Sequence, residues 1–217
     1  MREINIALES LRFGGVMVYP LLLLAILAVV IMLDKAFVYW RFVRIPGPLF
    51  ELVETFDFSW LDLERHLLKL DQRNYFRRFF RIVMENRWKP VWWVESRASD
   101  EAELIEEALS RGMWVLETIV TAAPLLGLLG TITGMMQAFK LIGNKGLVDP
   151  TGITGGVAQA LIATALGLFI AIIALFGFNF FSRRQSQVLD KMERLGTRLV
   201  DNIRIAGHEL ENVREHS

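Results

Sequence analysis

The apolar residues of this chain are gathered into three stretches that carry no charge. The first runs from Phe13 to Leu33, with a greasy run from Val16 to Leu33. The second is Thr118 to Phe139, between Glu117 and Lys140, and the third is Pro150 to Ser182, between Asp149 and Arg183. Each is long enough to cross a hydrocarbon layer of about 30 Å, which takes about 20 helical residues. In lipid the backbone must satisfy its own hydrogen bonds, so each stretch is read as a helix. The first is read as a retained span, because its apolar run is long and is followed by the aromatic and basic segment Asp34 to Arg41, which suits a membrane–water boundary. The fold expected is an all-α membrane protein with three transmembrane helices, two of them extended into a cytoplasmic helical bundle.

The polar parts show helical periods too. Pro46-Gly47-Pro48 ends the first helix. Ser59 followed by Asp62 resembles an N-terminal cap ahead of Leu63, Leu67 and Leu68. Tyr75, Phe76, Phe79, Phe80, Val83 and Met84 step along one helical face, alternate with Arg73, Arg77, Arg78 and Arg81, and stop before Pro90. A further helix is expected to start at Ser99 or Asp100, with the acids from Asp100 to Glu107 near its positive end, and to run unbroken to Leu141. Those acids either pair with the arginines of 73–97 or form a solvated face. After Arg184 the positions Val188, Met192, Leu195, Leu199, Ile203, Ala206, Leu210 and Val213 continue the third span as one stripe. The divisions expected are 1–15, a short periplasmic N-terminus; 16–40, the first span; 41–111, a cytoplasmic helical segment; 112–141, the second span; 142–151, a periplasmic loop; 152–182, the third span; and 183–217, a cytoplasmic C-terminal helix.

Charge sets the orientation. Lys and Arg crowd the segment between the first two spans and the tail that begins Arg183-Arg184, whereas the opposite side has only Arg2, Arg12, Lys140 and Lys145. The positive-inside bias puts the N-terminus and the loop near Asn144 outside and the C-terminus in the cytoplasm. The 24 basic and 24 acidic residues cancel, so nucleic-acid binding has no electrostatic support. The absence of cysteine removes disulfides, thiol catalysis and thiolate metal sites, and the three histidines are scattered; no metal and no cofactor are expected. No pair of residues suits intramembrane proteolysis, so the chain is not expected to be an enzyme.

The second and third spans carry small residues at helical spacing: Gly127, Gly130, Gly134 and Ala138 in one, Gly156, Ala160, Ala163 and Gly167 in the other. Such residues let membrane helices approach closely. Among the polar positions, Thr121, Thr131, Thr133 and Gln137 lie in the second span, and Thr154, Gln159, Thr164 and Asn179 in the third. A membrane threonine ordinarily bonds back to its own helix, whereas a glutamine at depth wants a partner or water. Gln159 and Thr164 stand about 140° apart on a helix and need not share a face. No titratable residue lies between Glu117 and Lys140 or inside the third span. Ion carriers place such a group in the membrane, so the chain either transports nothing or borrows a carboxylate from a partner. Asp34 and Lys35, at the inner end of the first span, are expected to snorkel or to pair.

The stretch Ala123-Pro124-Leu125-Leu126-Gly127-Leu128-Leu129-Gly130-Thr131-Ile132-Thr133-Gly134, with Ala160-Leu161-Ile162-Ala163-Thr164-Ala165-Leu166-Gly167 downstream, resembles the MotA/TolQ/ExbB proton-channel family, and within it ExbB and TolQ most. The likeness is specific over about residues 115–181. Four spans are usual in the MotA branch, and this chain has three. The resemblance implies a homo-oligomer, a pentamer, in the bacterial inner membrane around a single-span ExbD- or TolR-like partner that carries the membrane aspartate. Proton flow then drives motion passed on through a TonB- or TolA-like protein, with membrane lipids around the assembly and no nucleic acid. It implies that Thr131 and Thr164 face the partner's aspartate, with Gln159 on the same pathway. Gln159 stands where prominent members have a glutamate, and Ile173 where a proline is common; the first cannot take up a proton, and the second removes a kink. The alternatives are a TolQ-type or gliding-type energiser with another output, and a membrane scaffold that conducts nothing.

Overall fold

The computed structural model describes residues 15–43, 47–54, 58–143 and 150–215. The N-terminal segment ahead of Gly15, Pro46 and the loop around Asn144 lie outside the described residues, as do the side chains of Leu210 and Val213. The elements are α1 (Val18–Phe42), α2 (Gly47–Glu54), α3 (Trp60–Leu68), α4 (Tyr75–Asn86), α5 (Val91–Ser110), α6 (Met113–Gly143) and α7 (Pro150–Glu215), with no strand among the described residues. Three helical stretches are long and apolar enough to cross a membrane: Val18–Phe42, Val91–Lys140 and Gly152–Ala206. The all-α membrane class read from the sequence is the class observed.

The chain divides into two compact units: Met1–Leu33 with Gly112–Phe180, and Asp34–Arg111 with Phe181–Ser217. In the second unit, Phe76, Phe79, Phe80 and Val83 of α4 are buried against Val94, Ile105 and Leu109 of α5 and against Met192, Leu195 and Leu199 of α7. The stripe after Arg184 is therefore a core face from Val188 to Leu199, with Ile203 partly buried against it and Ala206 exposed. Ser59 caps α3, its Oγ accepting from the Asp62 amide at 3.4 Å.

Asn74 caps α4. Its buried side-chain oxygen accepts from the amides of Phe76 at 3.0 Å and Arg77 at 3.2 Å, satisfying two donors that the first turn would leave open. Asn74→Ala is expected to cost about 1–2 kcal/mol, read as a lower thermal midpoint of the full chain in detergent.

Two sequence expectations fail in this region. The helix expected to start at Ser99 starts eight residues earlier, at Val91, with Pro90 as its cap. Buried Val94, Ala98, Glu101, Ile105 and Leu109 form one stripe through the supposed boundary. The acids are thus in mid-helix and do not face its positive end. The expected unbroken run to Leu141 also fails, because the chain turns at Arg111 and Gly112, between α5 and α6. Gly112 has φ +81°, and a Cβ there would meet nothing nearer than Ile31 Cγ2 at 3.8 Å. The backbone conformation, not space, selects glycine here.

The two alternatives for the acid cluster are each realised at different positions. Glu101 is buried and lies 2.8 Å from the Arg78 guanidinium, while Glu103, Glu106 and Glu107 are exposed. Lys35 departs from expectation: it is buried and forms no ion pair among the described residues. Its Nζ is buried and donates to the Leu109 carbonyl at 2.7 Å. That carbonyl is among the last of α5, where open acceptors and the negative end of the helix dipole favour a cation.

Candidate functional site

In the first unit α6 and α7 meet along a seam of small residues. Each glycine on it stands where a side chain would strike the facing helix. A Cβ on Gly127 would lie 3.1 Å from the Ala163 carbonyl oxygen and 3.1 Å from Thr164 Cα. On Gly130 it would lie 2.5 Å from Ala163 Cβ, on Gly134 3.0 Å from Ala160 Cβ, and on Gly156 2.6 Å from Ala138 Cβ. On Gly167 it would lie 2.5 Å from the Ala123 carbonyl oxygen and 3.1 Å from Gly127 Cα. Ala123, Ala138, Ala160 and Ala163 are buried along the same line. In a solvent as apolar as the side chains, such backbone proximity and its dispersion contacts hold helices together. Pro124 lies within α6 and cannot donate to the carbonyl four residues back, a local gap that helix–helix packing makes tolerable.

The hydroxyls divide into two groups. Thr118, Thr121, Thr131 and Thr133 all donate to carbonyls of their own helix, Thr131 to Leu128 at 2.6 Å. This is the ordinary behaviour of a membrane threonine. Thr164 behaves differently. Its Oγ1 donates across the seam to the Gly127 carbonyl of α6 at 3.0 Å. The missing side chain of Gly127 brings Thr164 within reach, and the hydroxyl then ties the two backbones together.

Gln159 has another neighbour. Its amide packs against Gly15, just ahead of α1, so closely that any side chain at 15 would overlap it. Gly15 has φ +72°, which favours glycine independently. Thr131, Gln159 and Thr164 are therefore held in three different ways, and no hydrogen bond among the described residues links them. Gln159→Glu is expected to weaken the membrane unit unless the new acid binds a proton, because a carboxylate lacks the amide's donor and is costly away from water. A thermal midpoint that is unchanged at pH 8 would place the residue in water instead.

The sequence reading missed Gly15 and Lys35 as structural anchors. Only Gly15 had a signal, its pairing with Gly14 at the head of an apolar run. Among the described residues no group of His, Asp or Glu has the arrangement of a metal site.

Comparison with known proteins agrees with the seam. The MotA/TolQ/ExbB proton channel family matches residues 71–194, which include all of α6 and the first two-thirds of α7. The chain is 32% identical over 209 residues to biopolymer transport protein ExbB-like 1 of Synechocystis sp., a match that covers 88% of this chain and 77% of that protein. It is 44% identical over 93 residues to the biopolymer transport protein ExbB of Xanthomonas campestris, covering 43% of this chain and 37% of that one. With the ExbB of Aquifex aeolicus it shares 40% over 85 residues, 39% of this chain and 57% of the relative. The chain thus spans about three-quarters of one relative's length and much less of the other two. Three apolar helices, the small-residue seam and these matches lead to one conclusion: this multi-pass membrane protein belongs to the MotA/TolQ/ExbB proton channel family, close to ExbB.

Proposed function

We propose that this chain is the ExbB-like channel subunit of a motor driven by the proton-motive force. It lies in the bacterial inner membrane, with the N-terminus periplasmic and the C-terminus cytoplasmic. It forms a homo-oligomer, a pentamer, around a single-span ExbD- or TolR-like partner, and the work passes through a TonB- or TolA-like protein. The chain performs no bond-making chemistry of its own.

The observation that carries this reading is the uncharged seam whose Thr164 hydroxyl bridges α6 and α7. A hydroxyl is donor and acceptor together, so it can solvate a proton that it does not keep. With no titratable group between Glu117 and Lys140 or from Pro150 to Ser182, the proton-binding carboxylate must come from elsewhere. Thr131 offers a second hydroxyl on the adjoining face of α6, and Gln159 a neutral amide. Reconstitution in liposomes tests the proposal. Proton flux is expected only when this chain and a single-span partner with a membrane Asp are both present. Absence of flux from the pair at every imposed voltage would overturn it.

The close packing of Gln159 on Gly15 favours one alternative detail: the residue holds the start of α1 in place and takes no part in the proton path.

A further inference from the structure

The second unit contains a cleft of about 640 Å³ between α5 and the later part of α7. Its floor is apolar, with Phe79, Ala98, Ala102 and Val200 among the lining residues, and its rim is acidic, with Glu95, Glu103, Glu106, Glu193 and Asp201. Among the described residues Arg204 is the single cation on the rim; it lies 2.9 Å from Glu95 and 3.5 Å from Asp201. Glu103, Glu106 and Glu193 form no ion pair among the described residues, and all three are exposed. Phe79, Ala98 and Val200 at the floor are already buried in the core, so the unfavourable feature of the empty cleft is its rim, where like-charged carboxylates repel one another.

The same helix carries the complement. Lys191 and Arg198 are exposed, are one heptad apart, and form no ion pair among the described residues. At about 100° per residue they fall within about 20° of each other, and Glu193 lies about 140–160° away from both. Core residues Val188, Met192, Leu195 and Leu199 occupy the face between. The lining that α7 gives the cleft runs from Leu189 to Arg204, and Lys191 and Arg198 fall within that interval.

We propose that this cleft receives the Lys191 and Arg198 stripe of a second copy of this chain. The inference rests on the homo-oligomeric reading given above and adds the contact that closes the ring. The two surfaces differ and lie on separate faces of one helix, which makes the contact heterologous; repeated, such contacts close a ring when the rotation permits. Rotation about a ring axis parallel to α7 keeps every residue at its own level, so the stripe of one copy meets the cleft of the next without sliding. Lys191 and Arg198 then lie over the carboxylates of the cleft, with Glu106 and Glu193 as their partners, and the stems of both pack along the cleft.

Charge reversal in the full chain, followed by native mass spectrometry at low salt, tests this. Lys191→Glu with Arg198→Glu is expected to lower the ratio of oligomer to monomer by about tenfold or more, as like charges face each other. Glu106→Lys with Glu193→Lys is expected to do the same, and all four changes together to restore assembly. Restoration separates a docking fault from a folding fault. In the wild type, a zero-length carbodiimide applied to mixed light- and heavy-isotope copies is expected to join Lys191 to Glu106 or Glu193 as mixed-label peptides. An undiminished oligomer in the Lys191→Glu, Arg198→Glu variant, failure of the fourfold variant to reassemble, or links confined to single copies would each overturn the docking. A wild type that is itself monomeric would remove the oligomeric reading, and the docking with it.

Discussion

Gly167→Leu abolishes the folded membrane unit. A Cβ at this position would already lie 2.5 Å from the Ala123 carbonyl oxygen and 3.1 Å from Gly127 Cα. Both obstacles are backbone, which cannot rotate aside as a side-chain tip does. The helices must separate, and the loss spreads along the seam: Gly127 leaves Thr164, and the bond from Thr164 Oγ1 to Gly127 is broken. A cost of more than about 3 kcal/mol is expected, at or above the upper range for overpacked interiors. Gly167→Ala is expected to give a smaller loss of the same kind. The readouts are the yield of detergent-stable protein and the thermal midpoint. A wild-type midpoint in the leucine variant would show that the seam opens freely.

Thr164→Val is expected to have the opposite profile, with assembly kept and proton flux lost. Valine nearly reproduces the shape of threonine, so the close approach at Gly127 survives. What disappears is the hydroxyl that donates across the seam from α7 to the Gly127 carbonyl of α6. In stability the loss is small, about 0.6–1.7 kcal/mol by the measured range for hydrogen bonds between membrane helices. In flux through the reconstituted pair it is expected to exceed about tenfold, because the remaining threonines in α6 are committed to their own backbone. Thr164→Ser is expected to recover most of the flux, since the hydroxyl returns. Unaltered flux in the valine variant would remove Thr164 from the proton path.

Much of the architecture was legible in the sequence because membrane helices obey few rules. The charge-free stretches mark the spans, and the small residues at three- and four-residue steps mark the seam. The stripe from Val188 to Leu199 was legible for the same reason: one period persists through it. The misread boundaries have physical causes. Asp100 and its neighbours imitate a helix start, but Pro90 is the stronger stop and start signal, and the buried stripe of α5 passes beneath the acids. The turn at Gly112 was not legible because a positive φ leaves no pattern in the surrounding residues. Lys35 was assigned to the water boundary by its charge, and only the three-dimensional course of α5 brings Leu109 within reach.

For the site, the residue types were readable, but how each is held was not. Thr131 and Thr164 look alike in the sequence. One donates within its helix and the other across the seam, a difference set by Gly127 opposite. Gln159 reads as a lining residue, whereas its amide packs against Gly15, about 140 positions upstream.

The seam between α6 and α7 is made of glycine, alanine and hydroxyl groups, none of which gains or loses a proton between about pH 4 and pH 9. Its cohesion is therefore indifferent to acidity. The membrane helices of the isolated chain should stay equally well joined on the acidic and the alkaline side of the bilayer, and any acid-triggered shift in a working assembly enters with a second polypeptide.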